Sequence, residues 1–210
     1  QVYYAVGSSI DRLQASPAVQ ALLAQGRDVL LCPHGAQDEF CFMTMGTYKG
    51  AGFHSAASAN LDVAAEGGAQ PGQAEDPAVT AALDALAAHS PVPLVRAAAS
   101  SLLTQASQPA SRIATEGLMT ISMAKYVSSR LGPGEAPRPL YVLEVNTASE
   151  AFLLARQALE RKDDATLDAC ACTLLGMAFL AEDIALPDPA AFNRSVCALL
   201  AKSRQAPPAR

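Results

Sequence analysis

The sequence predicts a small α/β unit followed by an α+β domain that ends in a pair of helices. Strand-like and helix-like segments alternate along residues 1–60, a pattern typical of layered α/β folds. A glycine-rich stretch, Gly67–Gln73, then interrupts this pattern. Residues 164–204 finally show two apolar patterns at helical period, joined by a turn that contains proline.

The composition allows a substantial core and argues against two classes of partner. Half of the 210 residues are hydrophobic. The formal net charge of −5 argues against binding to nucleic acid or to a membrane surface. No charge-free apolar run approaches the roughly 18 residues that a membrane span requires. Because the sequence starts without methionine, we expect it to be an excised part of a longer protein.

Residues 1–60 predict a layered unit in which the strands pair in parallel. Val2–Val6 and Val29–Cys32 are short runs rich in β-branched and aromatic residues, and a weaker strand pattern surrounds Phe53. Strands that are separated by helices pair in parallel in such units. The predicted helices are Pro17–Gln25 and a short helix opened by Asp38-Glu39, whose negative charges suit a helix N-terminus.

A flexible linker is predicted at 61–76, because this segment is of low complexity and contains no periodic apolar pattern. We expect a second domain at 77–204 and a disordered tail at 205–210. The elements predicted before the final helix pair are a helix from Pro77 to His89, strands at Leu94–Ala106 and Arg112–Ala114, a helix at Gly117–Leu131, a strand at Pro139–Val145, and a helix from the capping box Thr147–Glu150 to Lys162.

The final helix pair has more apolar surface than one side of a small domain can cover. Its first helix is apolar on nearly all sides, which indicates burial on nearly all sides. Asp188 and Pro189 suit the N-cap and first residue of the second helix. Two explanations remain open, a core helix within one chain or a bundle with a second copy. The residues expected at a dimer interface are Leu174, Leu175, Ala178, Phe179, Phe192, Val196, Leu199 and Leu200.

A second apolar stripe lies on the helix predicted at Gly117–Leu131. Four of its residues share one face at helical spacing, namely Met119, Met123, Tyr126 and Val127. Methionine is flexible and polarizable, and it suits surfaces that accept many partners. The stripe therefore predicts either a core face or a protein-binding surface.

No catalytic or metal-binding constellation is convincing. Cys32 and His34 follow a strand and could form a nucleophile pair, but neighbouring side chains usually point apart and no orienting third group is evident. The odd number of cysteines, five, does not indicate a disulfide framework. His54 and His89 stand alone, and histidines in such positions are more often structural or exposed than ligands.

A series of short segments carries a resemblance to a known family. In the first part they are Val2–Tyr4, Ser16-Pro17, Asp28–Leu31, Asp38-Glu39 and Tyr48–Gly50. In the second part they are Gln108–Ala110, Met123–Lys125, Leu143–Asn146, Ala178–Glu182 and Leu186–Pro189. In this order and spacing they resemble the end of the middle domain and the C-terminal dimerisation domain of the heat-shock protein 90 (Hsp90) chaperones. The chain departs from the family pattern at His34–Gln37 and Thr147–Ser149, so it resembles a divergent member.

The resemblance implies an ATP-driven, dimeric chaperone of the stress response. It implies that the C-terminal helix pair forms a four-helix bundle across a homodimer. It also implies that Met119, Met123, Tyr126 and Val127 contact unfolded client proteins. ATP and Mg would bind in the domains that precede this part, so we expect no cofactor, metal or enzymatic activity in the chain itself. No nucleic-acid or membrane partner is expected.

The resemblance also bears on location and leaves an alternative function. The chain's ending lacks the acidic motif of cytosolic eukaryotic members and the retention signal of the endoplasmic reticulum. We therefore expect a mitochondrial paralogue, with a bacterial cytoplasmic member as the alternative. The alternative function is a dimeric scaffold or adaptor without general chaperone activity.

Overall fold

The computed structural model of the chain describes residues 1–59, 76–117, 119–131 and 138–203. The predicted tail, and the predicted linker apart from Asp76, lie outside the described residues. The chain divides into two compact units. Unit 1 contains Gln1–Gln70 and Ala114–Val142, and unit 2 contains Pro71–Ile113 and Leu143–Arg210. The segment Ala114–Val142 therefore groups with the first part of the chain, although it lies within the second domain predicted at 77–204.

Strands and helices alternate at first, and helices follow one another at the end. In chain order the described elements are β1 (Val2–Val6), α1 (Ile10–Ala15), α2 (Pro17–Ala24), β2 (Val29–Cys32), α3 (Ala36–Met45), β3 (Thr47–Tyr48), β4 (Ala51–Ser55), α4 (Pro77–Ala88), β5 (Arg96–Ala99), β6 (Ser111–Glu116), α5 (Ile121–Leu131), β7 (Leu140–Val145), α6 (Glu150–Glu160), α7 (Asp164–Ala181) and α8 (Pro189–Ser203). The predicted fold class, α/β followed by α+β, is confirmed.

The sheet of unit 1 has the strand order β2-β1-β4-β3. β1 pairs in parallel with β2, where Tyr4 lies opposite Leu30, and with β4, where Val2 lies opposite Phe53. The predicted parallel pairing is thus confirmed, and only β3 runs antiparallel to its neighbour β4. Val19 and Leu22 of α2 are fully buried, which follows from their spacing on one face of the helix.

A second sheet has the strand order β5-β7-β6. β6 and β7 each continue from one unit into the other. Within unit 2, the side chains of Arg112 on β6 and Glu144 on β7 form a buried ion pair through Nε (2.8 Å) and Nη2 (2.7 Å). Ser100, directly after β5, donates its hydroxyl to the same carboxylate at 3.0 Å. The carboxylate is therefore buried with three hydrogen-bond donors, two of them from a cation.

Several element boundaries differ from prediction because side chains cap the backbone at other positions. α5 begins at Ile121 rather than Gly117, since the hydroxyl of Thr120 accepts a hydrogen bond from the N–H of Met123 at 3.2 Å. The N-cap of α6 is Ser149 rather than Thr147. β5 ends early, because the Ser100 hydroxyl accepts hydrogen bonds from the next N–H groups and turns the chain.

Candidate functional site

Helix α7 forms the centre of unit 2. The four interface residues predicted on it, Leu174, Leu175, Ala178 and Phe179, are 0 to 3% exposed within a single chain. Helices α4, α6 and α8 all pack against α7. The predicted burial of this helix on nearly all sides is confirmed, but its own chain supplies most of the cover. Met177 and Leu180 remain exposed on the same helix.

Helix α8 lies antiparallel to α7 and is held at both ends. At one end, Gly176 has no side chain, and the ring of Phe192 packs into the space that a Cβ atom would occupy. At the other end, Lys202 donates to Asp163 at 2.6 Å and also to Thr166. The Lys202 contact is the main reason why the pKa of Asp163 falls to about 2.

The outer side of α8 is less well covered than α7. None of its residues from Pro189 to Lys202 is fully buried, although four of them are predicted interface residues. Phe192, Val196 and Leu199 are half-buried, and Leu200 is 61% exposed. A helix with half-buried apolar residues along it and an exposed leucine is suited to further packing against a partner.

Helix α7 also meets the length and composition expected of a membrane span. Among the described residues it is the single helix that does so, with a mean hydropathy of 1.4 over Asp164–Ala181. Of this helix, 61% is buried inside the chain, which is the behaviour of a core helix.

The four residues predicted to contact clients do not form one exposed stripe. Met119 precedes α5, because the cap at Thr120 starts the helix later than predicted. Met123 is buried, whereas Tyr126 is 41% exposed and lies beneath the Arg130 guanidinium. Val127 is half-buried, so Tyr126 and Val127 are the outward part of this set on the helix.

The geometry does not support Cys32 and His34 as a nucleophile pair. Burial and the nearby carboxylate of Asp38 raise the pKa of the Cys32 thiol, whereas an activated cysteine needs a lowered pKa. His34 is turned to Asp38, with Nδ1 and Oδ2 3.2 Å apart. His89 likewise pairs with a carboxylate, that of Asp168, at 2.6 Å. Within the described ranges, no cluster of three or more His, Cys, Asp and Glu side chains could hold a metal ion.

A partly open cavity of about 240 Å³ in unit 1 was not predicted from the sequence. Glu39 lines it and is 1% exposed. Its carboxylate accepts hydrogen bonds from the hydroxyls of Thr120 (2.7 Å) and Tyr4 (3.4 Å). Burial raises the pKa of Glu39, and it raises the pKa of Tyr4 to about 12. The Asp38-Glu39 pair was the signal in the sequence, but both residues were interpreted as charges at a helix start.

Comparison with known proteins gives a consistent result over the whole chain. The family model described as Hsp90 protein matches residues 1–208. A chaperone protein HtpG of Clostridium perfringens is 29% identical over 199 residues, which is 95% of this chain and 30% of the relative. The HtpG of Frankia casuarinae is 31% identical over 204 residues, 97% of this chain and 31% of the relative. The HtpG of Bacillus subtilis is 24% identical over 95% of this chain.

These relatives correct the expected likeness to a mitochondrial paralogue, and they show how much of a full-length relative this chain covers. The matched relatives are bacterial, so the predicted likeness to a mitochondrial paralogue is not supported. The chain's ending, which suggested it, is too short to discriminate between paralogues. The chain spans only about 30% of the length of the curated relatives that it matches.

Proposed function

The chain belongs to the Hsp90 family, and from this premise we propose that it is the dimerising C-terminal part of an ATP-dependent molecular chaperone. The observation that carries the proposal is the family match over residues 1–208, which includes the whole α7–α8 pair. The half-buried and exposed apolar residues of α8 support it, since a second copy would cover them. ATP and Mg would bind in preceding domains, and the relatives favour the bacterial cytoplasm as its location.

In this proposal the two helices of the pair have different roles at the interface. Val196, Leu199 and Leu200 of α8 face the second copy, together with the exposed Met177 and Leu180 of α7. Phe192 packs against Gly176 of α7 within the chain. The buried Leu174, Leu175, Ala178 and Phe179 hold α8 in place from within. A charge at Leu175 would therefore unfold the unit, and it would not report on the dimer.

The test of dimerisation is light scattering of the chain over a dilution series. We expect a dimer that dissociates in Leu200→Asp, because a charge buried at the interface without a partner costs several kcal/mol. Leu23→Asp is the matched control, since Leu23 is also an exposed leucine on a helix but lies in unit 1. A wild-type monomer, or a Leu200→Asp dimer that persists at all concentrations, would reject this interface.

We further propose that unfolded client proteins contact the surface around α5. Of the four residues that the family resemblance points to, Tyr126 and Val127 are accessible on the helix, Met119 is half-buried beside it, and Met123 supports them from the core. Tyr126→Ser should weaken suppression of the aggregation of several unrelated heat-unfolded proteins. Tyr48→Ser, which alters a tyrosine on β3 that is more exposed than Tyr126, is the control.

One observation favours the second candidate function, a dimeric adaptor without general chaperone activity. Met123 is buried, so the exposed apolar surface of α5 is narrower than the sequence suggested. If Tyr126→Ser leaves aggregation suppression unchanged while the dimer persists, the adaptor function is preferred.

A further inference from the structure

The cavity of unit 1 presents a buried carboxylate with no counter-ion. Glu39 lies on α3, and its two hydrogen-bond donors, Tyr4 and Thr120, are neutral hydroxyls. In the described part of the chain, no lysine or arginine pairs with this carboxylate. A carboxylate has about four acceptor positions, so a further donor can be accommodated. A buried carboxylate without a counter-ion favours the binding of a cation from solution.

Aromatic rings form the walls beside this carboxylate. Tyr4 and Phe53 both line the cavity, with their ring centroids 6.5 Å apart and an interplanar angle of 72°. Phe42 stacks on Tyr4 at 4.3 Å and holds the ring in place. The faces of such rings are negative and attract an ammonium or guanidinium group within about 6 Å of the centroid.

The size and remaining lining of the cavity restrict the ligand further. A cavity of about 240 Å³ is smaller than the range of roughly 300–1,000 Å³ usual for drug-sized ligands. The hydroxyls of Ser55 and Thr115 supply additional acceptors, and His54 also lines the cavity. Among the residues that the structure describes, no lysine or arginine lines it. A short chain with one cationic head fits these features better than an anion or a large apolar molecule.

We propose that this cavity binds the ammonium or guanidinium head of a short organic cation, with the Glu39 carboxylate as counter-ion and the rings of Tyr4 and Phe53 as walls. The cation is either a free alkylamine or alkylguanidine, or the basic side chain of a peptide. The site does not depend on dimerisation or on client binding. Its ligand contacts the same carboxylate that holds Thr120, the N-cap of α5, so occupancy would also stabilise the start of that helix.

The test is a titration of the 210-residue chain labelled with ¹³C in its methionine methyl groups. Met43 lines the cavity, whereas Met177 lies on α7 in unit 2 and serves as the internal control. We expect n-butylguanidinium and n-butylammonium to shift the Met43 resonance saturably, with a Kd on the order of 1 mM for ligands this small. Met177 should not move. The uncharged isostere n-butylurea should bind about tenfold more weakly or not at all.

Two variants and a peptide ligand provide further tests of the proposed site. Glu39→Gln should reduce the affinity for both cations about tenfold or more, because the charge-assisted hydrogen bond is lost. Glu160→Gln, which removes an exposed glutamate of unit 2, should leave the affinity unchanged. A blocked tripeptide with a central arginine should shift Met43 if the natural source is a peptide, and only the free cations should do so if it is a small molecule.

Three outcomes would overturn the proposal. These are equal shifts with n-butylurea and n-butylguanidinium, full affinity in a folded Glu39→Gln chain, or no saturable shift of Met43 with either cation. The comparison of charged and uncharged probes uses the wild-type chain, so it tests whether the cavity selects a cation even if a Glu39 variant fails to fold.

Discussion

Glu39 in unit 1 and Glu144 in unit 2 are both buried, but the chain compensates their charges in different ways. Glu144 receives two hydrogen bonds from the Arg112 guanidinium and one from Ser100, all within the sheet region of unit 2. Among the described residues, Glu39 receives hydrogen bonds only from the hydroxyls of Thr120 and Tyr4, and it lines a cavity. The first arrangement is complete within the chain, whereas the second is open to a ligand. Burial of a carboxylate alone therefore does not distinguish a structural residue from a binding residue, but its partners do.

Arg112→Leu should have the largest effect, because it leaves the Glu144 carboxylate buried without a cation. Breaking a buried ion pair from one side costs about 3–5 kcal/mol of unfolding free energy. Urea unfolding followed by circular dichroism would measure it. The double variant Arg112→Leu with Glu144→Leu should recover most of the loss, and a double variant as unstable as the single one would contradict this account.

Thr120→Val should have the next largest effect, since this hydroxyl donates to Glu39 and caps α5. Loss of the cap costs about 1 kcal/mol, and loss of a hydrogen bond to a charged group costs about 1.5–3 kcal/mol. Ser149→Ala provides the comparison, because it removes the N-cap of α6 where no carboxylate is involved. Equal losses of unfolding free energy in the two variants would show that Thr120 does not stabilise Glu39.

Glu39→Gln should change stability little, or increase it by up to about 1 kcal/mol at pH 7, because it removes a buried charge that lacks a counter-ion. Glu144→Gln is the opposite case, since it leaves the Arg112 guanidinium without its carboxylate and should destabilise the chain. Urea unfolding of both variants would test this contrast. The predicted contrast is wrong if the two substitutions destabilise the chain equally.

The smallest effect is a pH dependence of the difference between the wild type and Glu39→Gln. Burial raises the pKa of Glu39 in the folded state, so its protonated form is the one that folding favours. The wild type should therefore lose unfolding free energy relative to Glu39→Gln as pH rises from about 4.3, the pKa of an unfolded glutamate, through the raised folded value. A difference that stays constant between acidic and neutral pH would mean that Glu39 is not perturbed by burial.

The sequence predicted the regular parts of this fold well, because local patterns determine them. The bounds of β1 and β2 agree with prediction, and Asp188 accepts the hydrogen bond from Ala191 that an N-cap should accept. Parallel pairing in unit 1 followed from the alternation of strands and helices. These features depend on residues within a few positions of one another, which periodicity and capping rules describe.

The candidate sites could not be predicted in the same way, because they depend on distant residues. Asp38 does act near a helix start, where it accepts a hydrogen bond from the N–H of His34, but Glu39 turns inward to meet Thr120, 81 residues away. The burial of α7 was predictable from its composition, but the covering helices were not. The matched family supplied the dimer hypothesis, and the burial of Leu174 and Leu175 in one chain changes which residues that hypothesis uses.

The interleaved division of the chain into units has a consequence for its synthesis on the ribosome. Unit 1 includes Ala114–Val142, so Gln1–Gln70 emerges long before the segment that completes it. At about 5–20 residues per second, Thr120 is made roughly 4–16 s after Glu39, 81 residues earlier in the chain. Throughout this interval the Glu39 carboxylate has no Thr120 hydroxyl to bind. A nascent chain that stalls before Thr120 would thus leave the part already made unfinished, as a target for holding factors or proteases.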